Sequence, residues 1–317
     1  MKIKLIISKT SNQYFFLDTF SNDSPTDSSN FTNSYIKLLE NPTTKEFLFL
    51  NDYREWFKNA DEPQRKSVMK AFYQSQNEAD AYKRTAEIFP SIVETCTKLD
   101  PYFSFVWKTC EIVLNKSKSY IENDYFRIAT KFDDCFNLLN NFYGKAPGKD
   151  EINVNLVYSP AENNFSGRFI DQNQVSICIQ NVDETNVQKF WLILLHESMH
   201  ACYEDAKYKK WLKDFADNQT QTDLSGKMGA KNLLRELIVS CFAGVGFLKE
   251  YLYGADIKKE LEEAVRCIGN NKVLPFRNLK RVVALEMLTM VREYVRQRKQ
   301  IDENFLDKIW KLILKYS

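Results

Sequence analysis

The chain carries the stretch Phe190-Trp-Leu-Ile-Leu-Leu-His196-Glu197-Ser198-Met199-His200, and this stretch decides how the rest of the sequence is interpreted. It holds both histidines of the 317-residue chain, four residues apart, with a glutamate directly after the first. Side chains at positions i and i+4 of a helix point the same way, so both imidazoles would face one point in space from adjacent turns. The apolar run before His196 predicts that this helix is buried and shielded from bulk water.

A His-Glu-x-x-His pattern on a helix is typical of zinc sites, in which the two histidines bind the ion and the glutamate acts as general base. The pattern is short and also occurs in helices that bind nothing. Here the chain has only two histidines, and their chance placement at this spacing around a glutamate is improbable. We therefore expect a metal site with His196 and His200 as ligands and Glu197 as base.

A catalytic zinc needs a third protein ligand and an open position for water. Glu204 and Asp205 are excluded by length, because eight residues of helix beyond His196 span about 12 Å. Glu236 and Glu286 remain, since each stands in an apolar helical run where a carboxylate must be paired or metal-bound. A buried ion pair is the alternative for either, with Arg235 as the partner available to Glu286.

With a glutamate on a following long helix, His-Glu-x-x-His resembles the gluzincin group of zinc metallopeptidases over residues 152–248. The resemblance implies a zincin-like catalytic part, zinc as the cofactor and a peptide or protein as the substrate. It also implies that His196, His200 and Glu236 are the ligands and that Glu197 is the base, with Glu286 as the runner-up third ligand.

The chain departs from the best-known gluzincins in three ways. The spacing of 36 residues from His200 to Glu236 is longer, and Ser240 stands where thermolysin-like members carry an aspartate that orients the first histidine. No third histidine exists to stabilise the oxyanion, so a tyrosine or an arginine must do so. Tyr203 shares a helix face with His200 and is the first candidate. The other tyrosines considered are Tyr208, Tyr251 and Tyr253.

Three short runs ahead of the predicted helix alternate apolar and polar residues, at 152–157, 165–170 and 175–180. This period of two predicts strands of a small antiparallel sheet. In related peptidases the substrate pairs with an edge strand above the cleft, and Val175 to Gln180 is the expected counterpart. Asp183 or Thr185 is expected to cap the helix.

The first part of the chain reads as a short β-hairpin over residues 1–20 followed by five or six helices between 31 and 142. Breaks are expected at Pro63, Pro90 and Pro101. The turn-forming segment from Gly144 to Asp150 predicts a boundary between a mainly helical region, 1–145, and a zincin-like metallopeptidase domain, 150–317. The predicted fold class is mainly α with a small antiparallel β-sheet.

The composition of the chain limits the kinds of partner and the location that we expect. The net charge of +2 gives no general attraction to nucleic acid or to an anionic membrane surface. A basic stripe of Arg292, Arg296 and Lys299 is better explained as a solvated face than as a nucleic-acid site. No apolar run is long enough to cross a bilayer, and no signal peptide is evident, so a cytoplasmic protein is expected, with leaderless secretion left open. The seven scattered cysteines suit free thiols.

The function expected from the sequence is zinc-dependent hydrolysis of peptide bonds with Glu197 as general base. The alternative is a catalytically inactive or structural-metal protein whose helical first half binds another protein. An intact Glu197 favours catalysis, because a purely structural metal site has no need of a general base.

Overall fold

The computed structural model describes residues 2–21, 35, 37–39, 50–144, 151–160, 165–203, 206–268 and 274–316. It is 72% helical with a small mixed sheet of four strands. The prediction of a mainly helical chain with a small sheet is therefore confirmed. The prediction that the sheet is antiparallel is wrong.

The strands are β1 (Lys2–Ile6), β2 (Glu151–Tyr158), β3 (Ser166–Asp171) and β4 (Gln174–Ile179), and they lie in the order β1-β2-β4-β3. The pairs β1–β2 and β2–β4 are parallel, and only β3–β4 is antiparallel. Polar and apolar residues alternate along β2 and β4, yet the polar residues Asn155 and Ser176 are buried. Each has a hydrogen-bond partner inside the protein, namely Ser11 Oγ at 3.3 Å and Tyr73 Oη at 3.1 Å. Burial on both faces is typical of parallel strands.

The strand predicted to pair with a substrate is an interior strand. β4 lies between β2 and β3 and is hydrogen-bonded to both, so its backbone groups are already paired. The interpretation of Val175 to Gln180 as an edge strand is therefore wrong, and within the described residues the edges of this sheet are β1 and β3.

The predicted N-terminal hairpin is also wrong, because a helix, α1 (Lys9–Ser21), follows β1. The backbone N–H and the side-chain amide of Asn12 both donate to the carbonyl of Ser8, at 3.1 and 2.9 Å, and they close the first turn. Tyr14, Phe16 and Leu17 are all buried, which a helix at this place allows. The partner of β1 is β2, which pairs with it in parallel, so β1 forms no hairpin with the segment that follows it.

Four described helices follow before residue 143: α2 (Asn51–Asn59), α3 (Glu62–Gln74), α4 (Glu78–Ala86) and α5 (Ile92–Phe142). Much of the region from 31 to 49 lies outside the described residues. Pro63 falls in the first turn of α3 and Pro90 precedes α5, as predicted. Pro101 does not end a helix, since α5 continues through it, and the burial of Leu99 and Phe103 on either side holds the turn in place.

The remaining helices are α6 (Val187–Cys202), α7 (Ala206–Asp217), α8 (Asp223–Met228), α9 (Ala230–Phe242), α10 (Phe247–Tyr253), α11 (Ile257–Arg266), α12 (Phe276–Gln297) and α13 (Glu303–Tyr316). The chain forms two compact units. The sheet unit comprises Lys2–Asp124 and Glu151–Val187, and the helical unit comprises Tyr125–Asp150 and Gln188–Ser317. The predicted boundary at residues 145–150 lies outside the described residues, and the division into 1–145 and 150–317 stays a prediction.

Among the described residues, no helix has the length and apolar character needed to span a membrane. The six cysteines whose side chains are described are all free, and Cys267 alone of these is exposed. The side chain of Cys202, next to the predicted metal site, lies outside the described residues.

Candidate metal centre

Helix α6 carries His196, Glu197 and His200, and its position in the helical unit is set by its apolar residues. Trp191 is fully buried, and its ring lies 5.7 Å from that of Tyr125 and 5.3 Å from that of Phe132, both on α5. Burial of such a large aromatic surface fixes the rotation of the helix about its axis. Just ahead of α6, the Asp183 carbonyl accepts the N–H of Val187 at 2.9 Å and the Asp183 side chain accepts the N–H of Thr185 at 2.9 Å, while a side-chain cap of α6 itself stays a prediction.

The rotation set by Trp191 brings the three polar side chains together. The imidazole rings of His196 and His200 are 4.9 Å apart at 79° to each other. One donor atom from each of His196, Glu197 and His200 lies within 4.8 Å of the other two, and the group could hold a metal ion. Glu197 is also only 7% exposed, so a carboxylate that lies close to both imidazoles is largely shielded from water.

Glu236 reaches the same two imidazoles from helix α9. Its Oε1 lies 3.3 Å from Nε2 of His200, and its Oε2 lies 3.7 Å from Nε2 of His196. The helix is held by its buried side, which includes Leu233, Leu237 and Ser240. At the end of α9 the chain returns over the helix through Gly246, where a Cβ would lie 2.1 Å from the carbonyl oxygen of Cys241.

These separations fit a zinc ion. Ligands about 2.0 to 2.1 Å from zinc at the corners of a tetrahedron are about 3.3 Å from one another. The distances from the Glu236 carboxylate to the imidazoles, 3.3 Å from Oε1 to His200 and 3.7 Å from Oε2 to His196, are close to that value, each measured from a different oxygen. The donor set of two imidazoles and one carboxylate is also one that catalytic zinc sites use.

Burial makes both imidazoles suitable ligands. It lowers the pKa of His196 to about 4 and that of His200 to about 3, even though the Glu236 carboxylate opposes the shift. At neutral pH both rings are therefore uncharged, and a ring nitrogen lone pair is available to a metal. The contacts between these rings and Glu236 are then not ion pairs.

Glu236 has cationic neighbours that the sequence analysis did not place there. The Lys280 ammonium lies 3.3 Å from Oε2, and Nη2 of Arg235 lies 3.9 Å from Oε1. Burial alone would raise the pKa of the Glu236 carboxyl, but its neighbours, which include the Lys280 and Arg235 cations, hold it below its usual value. The carboxylate is therefore ionised and can act as a ligand.

Glu286, the runner-up ligand, is exposed on α12 rather than buried as predicted. Its predicted partner Arg235 lies against Glu236 instead. The apolar residues near Glu286 in sequence lie on the opposite face of α12, where Val282, Val283 and Met287 are buried. Glu204 and Asp205, excluded by length from the sequence, lie outside the described residues.

Tyr203 is buried beside His200, with the two ring centres 6.2 Å apart. Its hydroxyl lies 3.2 Å from the Tyr143 hydroxyl and donates to the Arg235 carbonyl at 3.3 Å. These contacts tie the residue after α6 to α9, so they support the helix that presents Glu236. Of the other tyrosines considered, Tyr208 packs on Tyr203 at 5.3 Å and Tyr251 donates to Asp134 at 3.5 Å.

Ser240 donates its hydroxyl to the Glu236 carbonyl, one turn back on α9, at 2.7 Å. Within the described residues, Nδ1 of His200 is buried and has no hydrogen-bond partner. Whether Ser240 or another acceptor orients the first histidine, His196, stays open.

Two of the three residues of the basic stripe have acidic neighbours. Arg292 pairs with Glu250 at 2.6 Å, and Lys299 lies 3.7 Å from Asp302. Lys299 also lies over the ring of Tyr294, 4.6 Å from its centre. The interpretation of the stripe as a solvated face stays a prediction.

No protein-family model matches this chain, and the searches of curated proteins and of solved structures likewise returned no match.

Proposed function

We propose that the chain is a zinc-dependent peptidase with a zincin-like catalytic part. The observation that carries the proposal is the approach of the Glu236 carboxylate to Nε2 of both His196 and His200, at 3.7 and 3.3 Å. Three ligands from two helices leave a fourth position for water or substrate, which is the arrangement of catalytic rather than structural zinc sites. The resemblance to gluzincins, read from the sequence, supports the same assignment.

Each residue of the candidate site has a separate role in this proposal. His196, His200 and Glu236 would hold the zinc ion, which when bound supplies a Lewis acid that activates water and polarises the substrate carbonyl. Glu197 takes a proton from the attacking water as its oxygen adds to the carbonyl carbon. Glu197 then gives that proton to the amide nitrogen as the C–N bond breaks, which leaves a carboxylic acid and an amine.

The test begins with metal content. Purified wild-type protein should hold about one zinc per chain, and His196→Ala about a tenth of that or less. Full retention of zinc by His196→Ala would exclude the site.

Catalysis is tested separately on a peptide library. Glu197→Gln should keep its zinc and lose cleavage, whereas Glu286→Gln, which changes an exposed glutamate on α12, should retain both. If wild-type protein binds zinc but cleaves nothing, the alternative of a non-catalytic metal protein is favoured over the peptidase.

A further inference from the structure

Lys280 is a cation held beside the metal-binding group by two contacts. Its ammonium lies 3.3 Å from Oε2 of Glu236 and 4.6 Å from the centre of the Phe276 ring, one turn earlier on α12. A cation over an aromatic face is attracted by the ring electrons, so Phe276 helps to position the ammonium. No role at the site follows for Lys280 from the sequence, where it looks like any lysine on an amphipathic helix.

The two oxygens of Glu236 face different surroundings. On the Oε1 side are the His200 side chain, 8% exposed, and the Arg235 side chain, 33% exposed, whose Nη2 lies 3.9 Å from Oε1. On the Oε2 side are the His196 and Lys280 side chains, 19% and 26% exposed. Of these two cations Lys280 lies closer to the carboxylate, at 3.3 Å against 3.9 Å for Arg235. Tyr203 is only 3% exposed and its hydroxyl is already hydrogen-bonded, so it is poorly placed to meet a substrate.

Distances put Lys280 within reach of a group bound at the metal. An oxygen ligand lies about 2.1 Å from zinc, so an ammonium 3.3 Å from Oε2 is at most about 5.4 Å from an ion that Oε2 binds. A single substrate oxygen at about 2.1 Å from the ion and about 2.8 Å from the ammonium spans up to about 4.9 Å, so it contacts both wherever the ion lies within that distance of the ammonium.

We propose that Lys280 is a catalytic residue that donates a hydrogen bond to the substrate carbonyl oxygen as that oxygen becomes negatively charged. The inference rests on the proposed function. When water adds to the carbonyl carbon, the π electron pair of the C=O bond moves onto this oxygen and the water proton goes to Glu197. Lys280 keeps its proton and lowers the energy of the charged oxygen. The chain has no third histidine that could take this role.

A rival role for Lys280 is to neutralise and orient Glu236 without touching substrate. The two roles predict opposite changes in metal affinity. A cation near the metal repels it, so loss of Lys280 should leave zinc affinity unchanged or raise it if the ammonium serves the substrate. Loss of Lys280 should lower zinc affinity if the ammonium is needed to hold Glu236 in place.

The experiment compares Lys280→Met with Arg277→Met, which removes a cation from an exposed position on the same helix. Zinc affinity is measured by competition with a chromophoric chelator. Inorganic phosphate, a tetrahedral anion that depends on no side-chain pocket, is then titrated calorimetrically into the zinc-loaded proteins. Lys280→Arg tests rescue by a second cation, and Lys280→Gln replaces Lys280→Met if circular dichroism shows that the latter does not fold.

We expect phosphate affinity to fall about tenfold or more in Lys280→Met, to stay unchanged in Arg277→Met and to be largely kept in Lys280→Arg. Zinc affinity should not fall in any of them. Equal phosphate affinities in Lys280→Met and Arg277→Met would overturn the inference, as would a zinc-loaded wild type that binds no phosphate or a Lys280→Met variant that binds zinc more weakly. Wild-type protein that binds no zinc would instead overturn the proposed function itself.

Discussion

Replacement of Gly246 by alanine should destabilise the helical unit strongly, because the new Cβ has no room. It would lie 2.1 Å from the carbonyl oxygen and 2.3 Å from the carbonyl carbon of Cys241, in the last turn of α9. An ordinary contact is about 3.4 Å or longer, so the overlap exceeds about 1 Å, and backbone atoms cannot rotate away as a side chain would. We expect a loss of about 3 kcal/mol, the upper end of the usual range for overpacking.

Thermal unfolding followed by circular dichroism measures this loss. A destabilisation of about 3 kcal/mol corresponds to a fall in Tm of about 6 to 12 °C for a unit of this size. Because α9 presents Glu236, zinc affinity should fall in the same variant. The matched control is Gly226→Ala in α8, where a Cβ would meet nothing within 4 Å. Alanine is the better helix former, so this control should gain about 0.5 to 1 kcal/mol. A Gly246→Ala variant that melts within about 1 °C of wild type would refute the reasoning, since the close approach would then be absent in solution.

Three further predictions concern the site. Glu236→Gln should weaken zinc binding at least tenfold in a chelator competition, whereas Glu286→Gln should match wild type, and the reverse order would show that the ligands were misassigned. The metal-free protein should lose stability as pH falls below about 6.5. Both imidazoles become protonated in the unfolded chain at that pH, whereas in the folded protein burial lowers the pKa to about 4 for His196 and about 3 for His200, so the rings stay neutral there. Each imidazole should contribute roughly 2 kcal/mol to the loss of stability by pH 5, and the loss should be smaller in His196→Ala. Urea unfolding at pH 7 and pH 5 measures the loss, and equal free energies of unfolding at the two pH values would contradict the prediction. Tyr203→Phe should cost about 1 kcal/mol in urea unfolding yet keep peptide cleavage, and a total loss of cleavage with zinc retained would return Tyr203 to the catalytic machinery.

The helix that carries the candidate metal site was predictable because its signals are local. His196 and His200 face the same way in any helix, and the apolar run before them marks the buried side. Glu236 could be nominated because a carboxylate in an apolar helix needs a partner, whatever the rest of the fold is. The same argument failed for Glu286, since the apolar residues flanking it cover one face of α12 and the glutamate lies on the other.

The remaining errors come from contacts that are distant in sequence. The hydroxyl and amide groups of Ser176 and Asn155 looked solvent-facing until the interior partners that satisfy them were known. The partner of β1 is β2 rather than residues 14–20, and no pattern within the first 20 residues reveals a partner so distant in sequence. Lys280 could not be placed beside Glu236 without knowing how α12 packs on α9.

The pairing of β1 with β2 also bears on how the chain folds during synthesis. Lys2 pairs with Glu151, so the first strand waits for its partner while about 150 residues are made. At about 5 to 20 residues per second this delay lasts roughly 7 to 30 seconds. An exposed apolar strand is prone to aggregate over such a time, and Lys2 and Lys4 place positive charges at alternate positions of this one. Replacing both lysines with threonine should therefore lower the soluble yield of newly made protein more than it lowers the stability of the folded protein.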